Sequence, residues 1–139
     1  DLQSVGRLES LEKDMERIAE RILVKISYEI STKGSHPLNK LKPRLKMDLL
    51  LFVKECLTNI VKHSNADKVK INIIASPNAV EIIVHDNGRG LPGNEAPHIP
   101  PSLKRRARIM NASIFISHST EYTTIIHLIR KRSPLTFWK

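Results

Sequence analysis

The segment from Lys42 to His63 has the apolar periodicity of a long amphipathic helix, and it restricts the fold more than any other feature. Pro43 is well placed for the first turn of such a helix. A helix with one apolar face must bury that face, and two strand-like segments follow it, joined by a turn at 76–78. The pattern therefore predicts an α+β domain. The apolar stripe contains Leu45, Leu49, Phe52, Val53, Cys56, Leu57, Ile60 and Val61.

The other segments predict helices and strands in the order helix, strand, helix, two strands, long loop, helix, two strands. We expect a two-layer α/β sandwich whose mixed, mostly antiparallel sheet carries helices on one face. The predicted segments are a helix from Val5 to Glu20, strands at 22–31, 68–75 and 80–85, a loop at 86–102, a helix at 102–110, and strands at 113–117 and 123–129.

The composition excludes several classes of protein. A chain of 139 residues with 40% apolar content fits one domain with a real core, spanning 1–139. One cysteine, Cys56, excludes an internal disulfide framework and favours a reducing compartment. No apolar run approaches the roughly 20 residues that cross a bilayer, and no signal peptide pattern is visible. The sequence reads as a fragment of a longer chain, with a frayed tail at 131–139.

Basic residues dominate the C-terminal third of the chain. The net charge of +9 comes from 23 Lys and Arg against 14 Asp and Glu, and Glu121 is the single acid after residue 102. This excess suggests a polyanionic partner such as nucleic acid, an anionic membrane or nucleotide phosphates, or simply a solubilising surface. Aromatic residues are few and not interleaved with the cations, so no nucleic-acid partner is expected. A basic nucleic-acid binder stays open on charge alone.

Four polar residues follow one side of the long helix. Glu55, Asn59, Lys62 and His63 lie three or four positions apart, opposite the apolar stripe. An asparagine carbonyl suits Mg²⁺, a lysine suits phosphate, and a glutamate can accept a proton. The alternative is a solvated helix face in which Glu55 pairs with nearby lysines.

A second polar motif, Asp86-Asn87-Gly88-Arg89-Gly90, follows the second strand of the predicted hairpin directly. A carboxylate at a strand end, followed by two glycines, lets the backbone pass close to a planar ligand. Asp86 could accept a hydrogen bond from an exocyclic amine such as adenine N6. The alternative is an ordinary turn, because this composition is good turn chemistry anywhere.

Taken together, the two motifs resemble the catalytic, ATP-binding domain of bacterial sensor histidine kinases, in the GHKL superfamily with type II topoisomerases and MutL-like repair proteins. Residues Glu55 to Ala66 look like the N box of that family, and their Lys-His ending resembles the nitrate-sensor subgroup. Residues Val84 to Gly90 look like its G1 box. The resemblance covers about residues 8–130, and two spaced motifs around a hairpin make it specific.

The resemblance implies a Bergerat-type ATP-binding fold with ATP and Mg²⁺ as cofactors. Asn59 would hold the metal, Lys62 and His63 would contact phosphates, and Asp86 would anchor adenine. Gly88 and Gly90 would begin a mobile lid, and Thr124 falls near the adenine pocket. Glu55 would be the catalytic residue. The implied cofactor-binding residues are Asn59, Lys62, His63, Asp86, Gly88, Gly90, Lys104, Arg105 and Thr124.

The resemblance also implies partners. No histidine precedes His36, so the γ-phosphoryl would pass to a histidine on a dimerisation domain outside 1–139, and then to a response regulator. The parent is expected to be a homodimer in which this domain is cytoplasmic, with or without an inner-membrane anchor.

Three departures from the family pattern leave a second reading open. Pro101-Ser102 stands where the lid helix usually opens with glycine, residues 110–113 lack the usual paired glycines, and Thr123 replaces another. A degenerate pseudokinase or binding module of the same fold is therefore the alternative.

Overall fold

A computed structural model describes residues 9–34, 41–89 and 98–132. Within these ranges five strands form one open mixed sheet in the order β1-β2-β3-β5-β4, and helices cover one of its faces. The predicted two-layer α+β architecture is confirmed. The elements are α1 (Glu9–Ile22), β1 (Ser27–Lys33), α2 (Pro43–Asn59), a π turn (Ile60–Ser64), β2 (Lys68–Ala75), β3 (Ala79–Asp86), α3 (Pro101–Ile109), β4 (Ser113–Ser117) and β5 (Thr124–Lys131).

The sheet is antiparallel except at one pair. β1 runs parallel to β2, which requires the crossover that α2 supplies, and the pairs β2–β3, β3–β5 and β4–β5 are antiparallel. The predicted β2–β3 hairpin is present, and β3 lies in the middle of the sheet, as its apolar run indicated. This arrangement brings the end of β3 and the start of β2 to the same edge, where Val69 pairs with Asp86.

The core lies between the sheet and the helices. Alternate side chains of β2 and β3 are buried, so only one face of the sheet is covered. Leu11, Met15 and Ala19 bury one side of α1 at a spacing of four residues, and Phe52 is fully buried in α2. The fully buried side chains are Leu11, Met15, Ala19, Leu49, Phe52, Val53, Leu57, Val69, Ile71, Ile73, Ile82 and Leu128.

The first predicted strand has wrong bounds. The helix continues through Ile22 because Leu23, four residues after Ala19, completes its buried stripe at 3% exposure. True alternation begins only at Ser27, so the strand spans Ser27–Lys33 and not 22–31. Apart from the end of the long helix, the later elements differ from their predicted bounds by no more than two residues. Residues 5–8 and 133–139, at the ends of the predicted segments, lie outside the described residues.

The long helix does not stay α-helical to His63 as predicted. It is α-helical to Asn59 and then widens into the π turn, which ends at Asn65 in the left-handed conformation (φ 56°). A π turn has more residues per turn, so it rotates the following side chains out of the α-helical register. Val61, predicted in the apolar stripe, is consequently 48% exposed, and Ser64 turns partly inward.

No helix in the described ranges has both the length and the apolar character needed to cross a bilayer.

Candidate functional site

Asp86 is a buried carboxylate at the end of β3. Its side chain is 4% exposed, and its Oδ1 accepts a hydrogen bond of 2.9 Å from the backbone N–H of Gly88. Burial raises the pKa of Asp86 because the charged form loses water, while the hydrogen bonds from Gly88 and the Ser64 hydroxyl act in the opposite direction. A further donor, such as the exocyclic amine of a ligand, would stabilise this charge.

Gly88 is in direct contact with the π turn. A Cβ built on Gly88 would lie 2.6 Å from both Cβ and Oγ of Ser64, and closer still to the Ser64 carbonyl oxygen. That oxygen accepts a hydrogen bond of 2.7 Å from the N–H of Arg89. Only glycine allows this approach, so the two motifs identified in the sequence meet at Ser64 and Gly88.

Asn87 ties the same segment to the start of β2. Its Oδ1 accepts hydrogen bonds of 3.0 Å from the backbone N–H groups of Asp67 and Lys68, and its Nδ2 donates to Asp67 Oδ1 at 2.7 Å. Asn87 therefore uses both ends of its amide to fix the position of the segment that follows β3. No role was predicted for Asn87, because its contacts depend on the register of β2 against β3, or for Ser64, because its contact depends on the π turn.

The predicted polar row on the long helix is divided by the π turn. Glu55 and Asn59 are half-buried on α2, whereas Lys62 and His63 are exposed on the turn. Glu55 and Asp86 both act electrostatically on the buried thiol of Cys56 and add to the effect of burial, which raises its pKa. Burial is the larger cause, and the Cys56 thiol stays neutral.

Asn59 is chemically suited to hold a divalent cation. Its Nδ2 is one of three buried side-chain nitrogen or oxygen atoms in the described ranges without a hydrogen-bond partner. The same amide carries a carbonyl oxygen, the type of ligand that Mg²⁺ prefers. The described residues contain no group of three or more His, Cys, Asp or Glu that could hold a metal.

The start of α3 offers fewer phosphate contacts than its position suggested. Pro100 and Pro101 have no backbone N–H, and the N–H groups of Leu103 and Lys104 both donate to the Pro100 carbonyl. Ser102 alone keeps an available amide among these five residues. The side chains of Lys104 and Arg105 are exposed and make no ion pair with another described residue.

Two threonines lie beside the end of β3. Thr124 pairs with Asp86 in the register of β5 against β3, next to the predicted adenine end. The preceding residue, Thr123, makes the closer contact, since its hydroxyl donates to the Gly88 carbonyl at 2.5 Å. This contact of Thr123 could be predicted only from the register of β5 against β3. Gly90, predicted to begin the lid, lies outside the described residues.

The family match covers the site from end to end. Residues 45–128 match the family described as histidine kinase-, DNA gyrase B-, and HSP90-like ATPase. This range includes α2, the π turn, the hairpin, α3 and nearly all of β5.

The similar proteins are sensor kinases. The chain is 36% identical over 74 residues to the nitrate/nitrite sensor protein NarX of Escherichia coli, which covers 48% of this chain and 12% of NarX. It is 26% identical over 111 residues to a sensor protein NarQ homologue of Haemophilus influenzae, covering 77% of this chain and 20% of that protein. The chain thus spans a small part of these relatives.

Solved structures give the same fold. The ATP binding domain of PrrB from Mycobacterium tuberculosis superposes with a TM-score of 0.67 at 21% identity, over 91% of this chain and 94% of that one. The histidine kinase domain of the Escherichia coli osmosensor EnvZ gives a TM-score of 0.60 at 13% identity, over 86% and 84%. With the family match over more than half of its length, the chain belongs to the histidine kinase-, DNA gyrase B- and HSP90-like ATPases.

Proposed function

We propose that this domain binds ATP and serves as the catalytic domain of a two-component sensor histidine kinase. It would transfer the γ-phosphoryl group of ATP to a histidine on a dimerisation domain that residues 1–139 do not include. The parent protein would be a homodimer that passes the phosphoryl group to a response regulator. Similarity to NarX and the NarQ homologue, both named as sensors, supports this assignment.

The buried carboxylate of Asp86 is the observation that carries the proposal. It lies at a strand end, accepts a hydrogen bond from the Gly88 N–H, and has its pKa raised by loss of water. An amine donor in the site would relieve that loss, and adenine carries such an amine at N6. Because Gly88 has no side chain, Ser64 of the π turn can lie against it beside Asp86.

The residues of α2 and the π turn are proposed to act at the phosphate end. Asn59 would supply one oxygen ligand to Mg²⁺, which neutralises charge on the phosphate oxygens when it is bound with the nucleotide. Lys62 and His63, both exposed, would contact the phosphates. Lys104 and Arg105 would approach them from α3.

Glu55 is proposed as the general base. As the acceptor imidazole nitrogen bonds to the γ-phosphorus, the bond from that phosphorus to the β-phosphate bridging oxygen breaks. The imidazole then loses a proton, which the Glu55 carboxylate accepts. Its place beside the half-buried Asn59 on α2 is consistent with this role.

Calorimetric titration with a non-hydrolysable Mg²⁺–ATP analogue tests the binding part of the proposal. Saturable binding with one site per domain is expected. A folded domain that gives no heat up to millimolar nucleotide would contradict the proposal, since that limit corresponds to about −4 kcal/mol. Adding a phosphoacceptor dimerisation domain and following acid-labile phosphate then tests transfer.

Asn59→Ala is expected to remove most of the gain in nucleotide affinity that Mg²⁺ provides. Metal-free binding should change little, because the lost group is the metal ligand. Titrations with Mg²⁺ and with EDTA measure the two parts separately. Asn72→Ala is the matched control, because the Asn72 amide accepts from the Ser31 hydroxyl between β1 and β2. Equal losses with and without metal would show that Asn59 is not the magnesium ligand.

A second candidate function is a degenerate binding module of the same fold with weak or no turnover. The two prolines at the start of α3 favour it, because they remove backbone donors where a phosphate would lie. In this reading the adenine contacts survive and the γ-phosphate contacts are weakened.

The ratio of the ATP and ADP dissociation constants in saturating Mg²⁺ separates the two candidates. A degenerate module is expected to give a ratio near one, because few amides remain at the start of α3 to hold the γ-phosphate. A preference for ATP on the order of a hundredfold, about 2.7 kcal/mol, would show that cationic side chains replace those amides. The degenerate reading would then lose its support.

A further inference from the structure

The hydroxyl of Thr123 holds the backbone that follows Asp86. It lies 2.5 Å from the Gly88 carbonyl oxygen and 3.3 Å from the Asp86 carbonyl oxygen. A hydroxyl has one proton to donate, and the shorter distance assigns that proton to Gly88. Thr123 thus bridges the end of β3 and the segment beyond it.

The turn that carries Thr123 is itself firmly anchored. The Ser119 N–H donates to the Tyr122 carbonyl at 2.8 Å, and the Tyr122 N–H donates to the Ser119 hydroxyl at 3.1 Å. The Tyr122 ring is buried and packs 5.1 Å from the ring of His85. Glu121 accepts a hydrogen bond of 3.0 Å from Lys68 at the start of β2. The hydroxyl of Thr123 is therefore presented from a fixed position.

Gly88 is consequently held from two sides. The π turn contacts it at Ser64, and Thr123 binds its carbonyl from β5. A glycine loses more conformational freedom on ordering than any other residue. Because these two contacts already order Gly88 in the free protein, a ligand that binds beside it pays less conformational entropy. The restrained residue also donates its N–H to Asp86 Oδ1.

We propose that Thr123 is a positioning residue for nucleotide binding, which acts by fixing Gly88 and through it the carboxylate of Asp86. This inference rests on the proposed function. Its site lies at the adenine end, so it should affect ATP and ADP by the same factor. Loss of the hydroxyl is expected to lower the affinities for ATP and for ADP by about five- to tenfold each, which is the scale of one hydrogen bond.

Thr123→Val tests the inference, because valine keeps the shape and removes the donor. Thr123→Ser keeps the donor and should restore binding to within about twofold of the wild type. Thr120→Val, in the same exposed turn, is the matched control and should bind normally. Affinities for ATP and ADP are measured by calorimetry on variants shown to be folded by circular dichroism. Should the valine variant fail to fold, Thr123→Ala replaces it.

A role in stability alone would lower the unfolding temperature and leave both affinities of the folded protein unchanged, which would overturn the inference. If Thr123→Ser bound nucleotides as weakly as Thr123→Val, the inference would also be overturned, because the hydroxyl would then not be the group that matters. If the wild type binds neither nucleotide, the proposed function itself fails. If the wild type binds and the valine variant binds equally well, only the role of Thr123 fails.

Discussion

Asp86→Asn is expected to weaken the binding of adenine nucleotides by about tenfold or more while the domain stays folded. The asparagine Oδ1 can still accept from the Gly88 N–H, so the local backbone is retained. Its Nδ2, however, places a donor where the carboxylate offered an acceptor to the ligand amine. Losing a buried hydrogen bond to a charged group costs roughly 1.5–3 kcal/mol, which is about tenfold or more in affinity.

Asp48→Asn is the matched control for this change. Asp48 and Asp86 are the two buried acids of the described residues, and Asp48 pairs instead with Arg44 at 3.7 Å within α2. Titration of both variants with the same ATP analogue should show a loss for Asp86→Asn only. Unchanged affinity in folded Asp86→Asn would rule out Asp86 as the adenine anchor.

Asp86→Asn is also expected to stabilise the ligand-free domain at neutral pH. Burial raises the pKa of Asp86 above its ordinary value of 3.8, so in the folded state the neutral form is favoured. Below pH 3.8 the carboxyl is protonated in both states and carries no penalty. As the pH rises through the folded pKa, the unfolded chain has already released its proton, and wild-type stability falls. Urea unfolding at pH 7 should give a higher free energy of unfolding for Asp86→Asn than for the wild type, and this difference should disappear at pH 3.5.

Gly88→Ala is expected to destabilise the domain by about 1–3 kcal/mol and to weaken nucleotide binding in the molecules that remain folded. The new methyl would meet the backbone carbonyl of Ser64, which cannot rotate away as a side-chain end could. The π turn and the segment after β3 must then separate, and Asp86 moves with them. Urea unfolding and calorimetry measure the two effects.

Gly34→Ala is the control with the same chemical change at the opposite end of the sheet. Gly34 has a φ of 72°, and an added Cβ would meet the backbone of Ala75. This variant should also lose stability but keep the nucleotide affinity of its folded fraction. Equal affinities for Gly88→Ala and the wild type would show that the Ser64–Gly88 contact is not part of the site.

The fold could be predicted largely from periodicity. Apolar residues of α2 recur with a helical period and those of β2 with a period of two, and each burial face follows directly. The order of the strands was not predicted, because the parallel pairing of β1 with β2 leaves no local signal in the sequence. The helix–strand boundary at Leu23 was missed because the apolar residues around it fit both the helical period and the strand period of two over a short stretch.

The site was predictable in its motifs and not in its contacts. Asp86 and Asn59 remain predicted ligand groups, from residue type, spacing and the family resemblance. The role of Ser64 could not be predicted, because it depends on the widening of the helix after Asn59, which the sequence does not signal. Thr123 depends on the register of β5 against β3, and register is a property of the folded sheet.

The π turn has a consequence for how this chain can evolve. A π turn accommodates one extra residue in a helix while the elements packed against that helix keep their length. In this chain it leaves Val61 half exposed. Deleting one residue there would let an unbroken α-helix form, with an apolar side chain returned to the interior. That gain would withdraw Ser64 from Gly88, so better packing of the helix and the contact between the two motifs exclude each other at this turn.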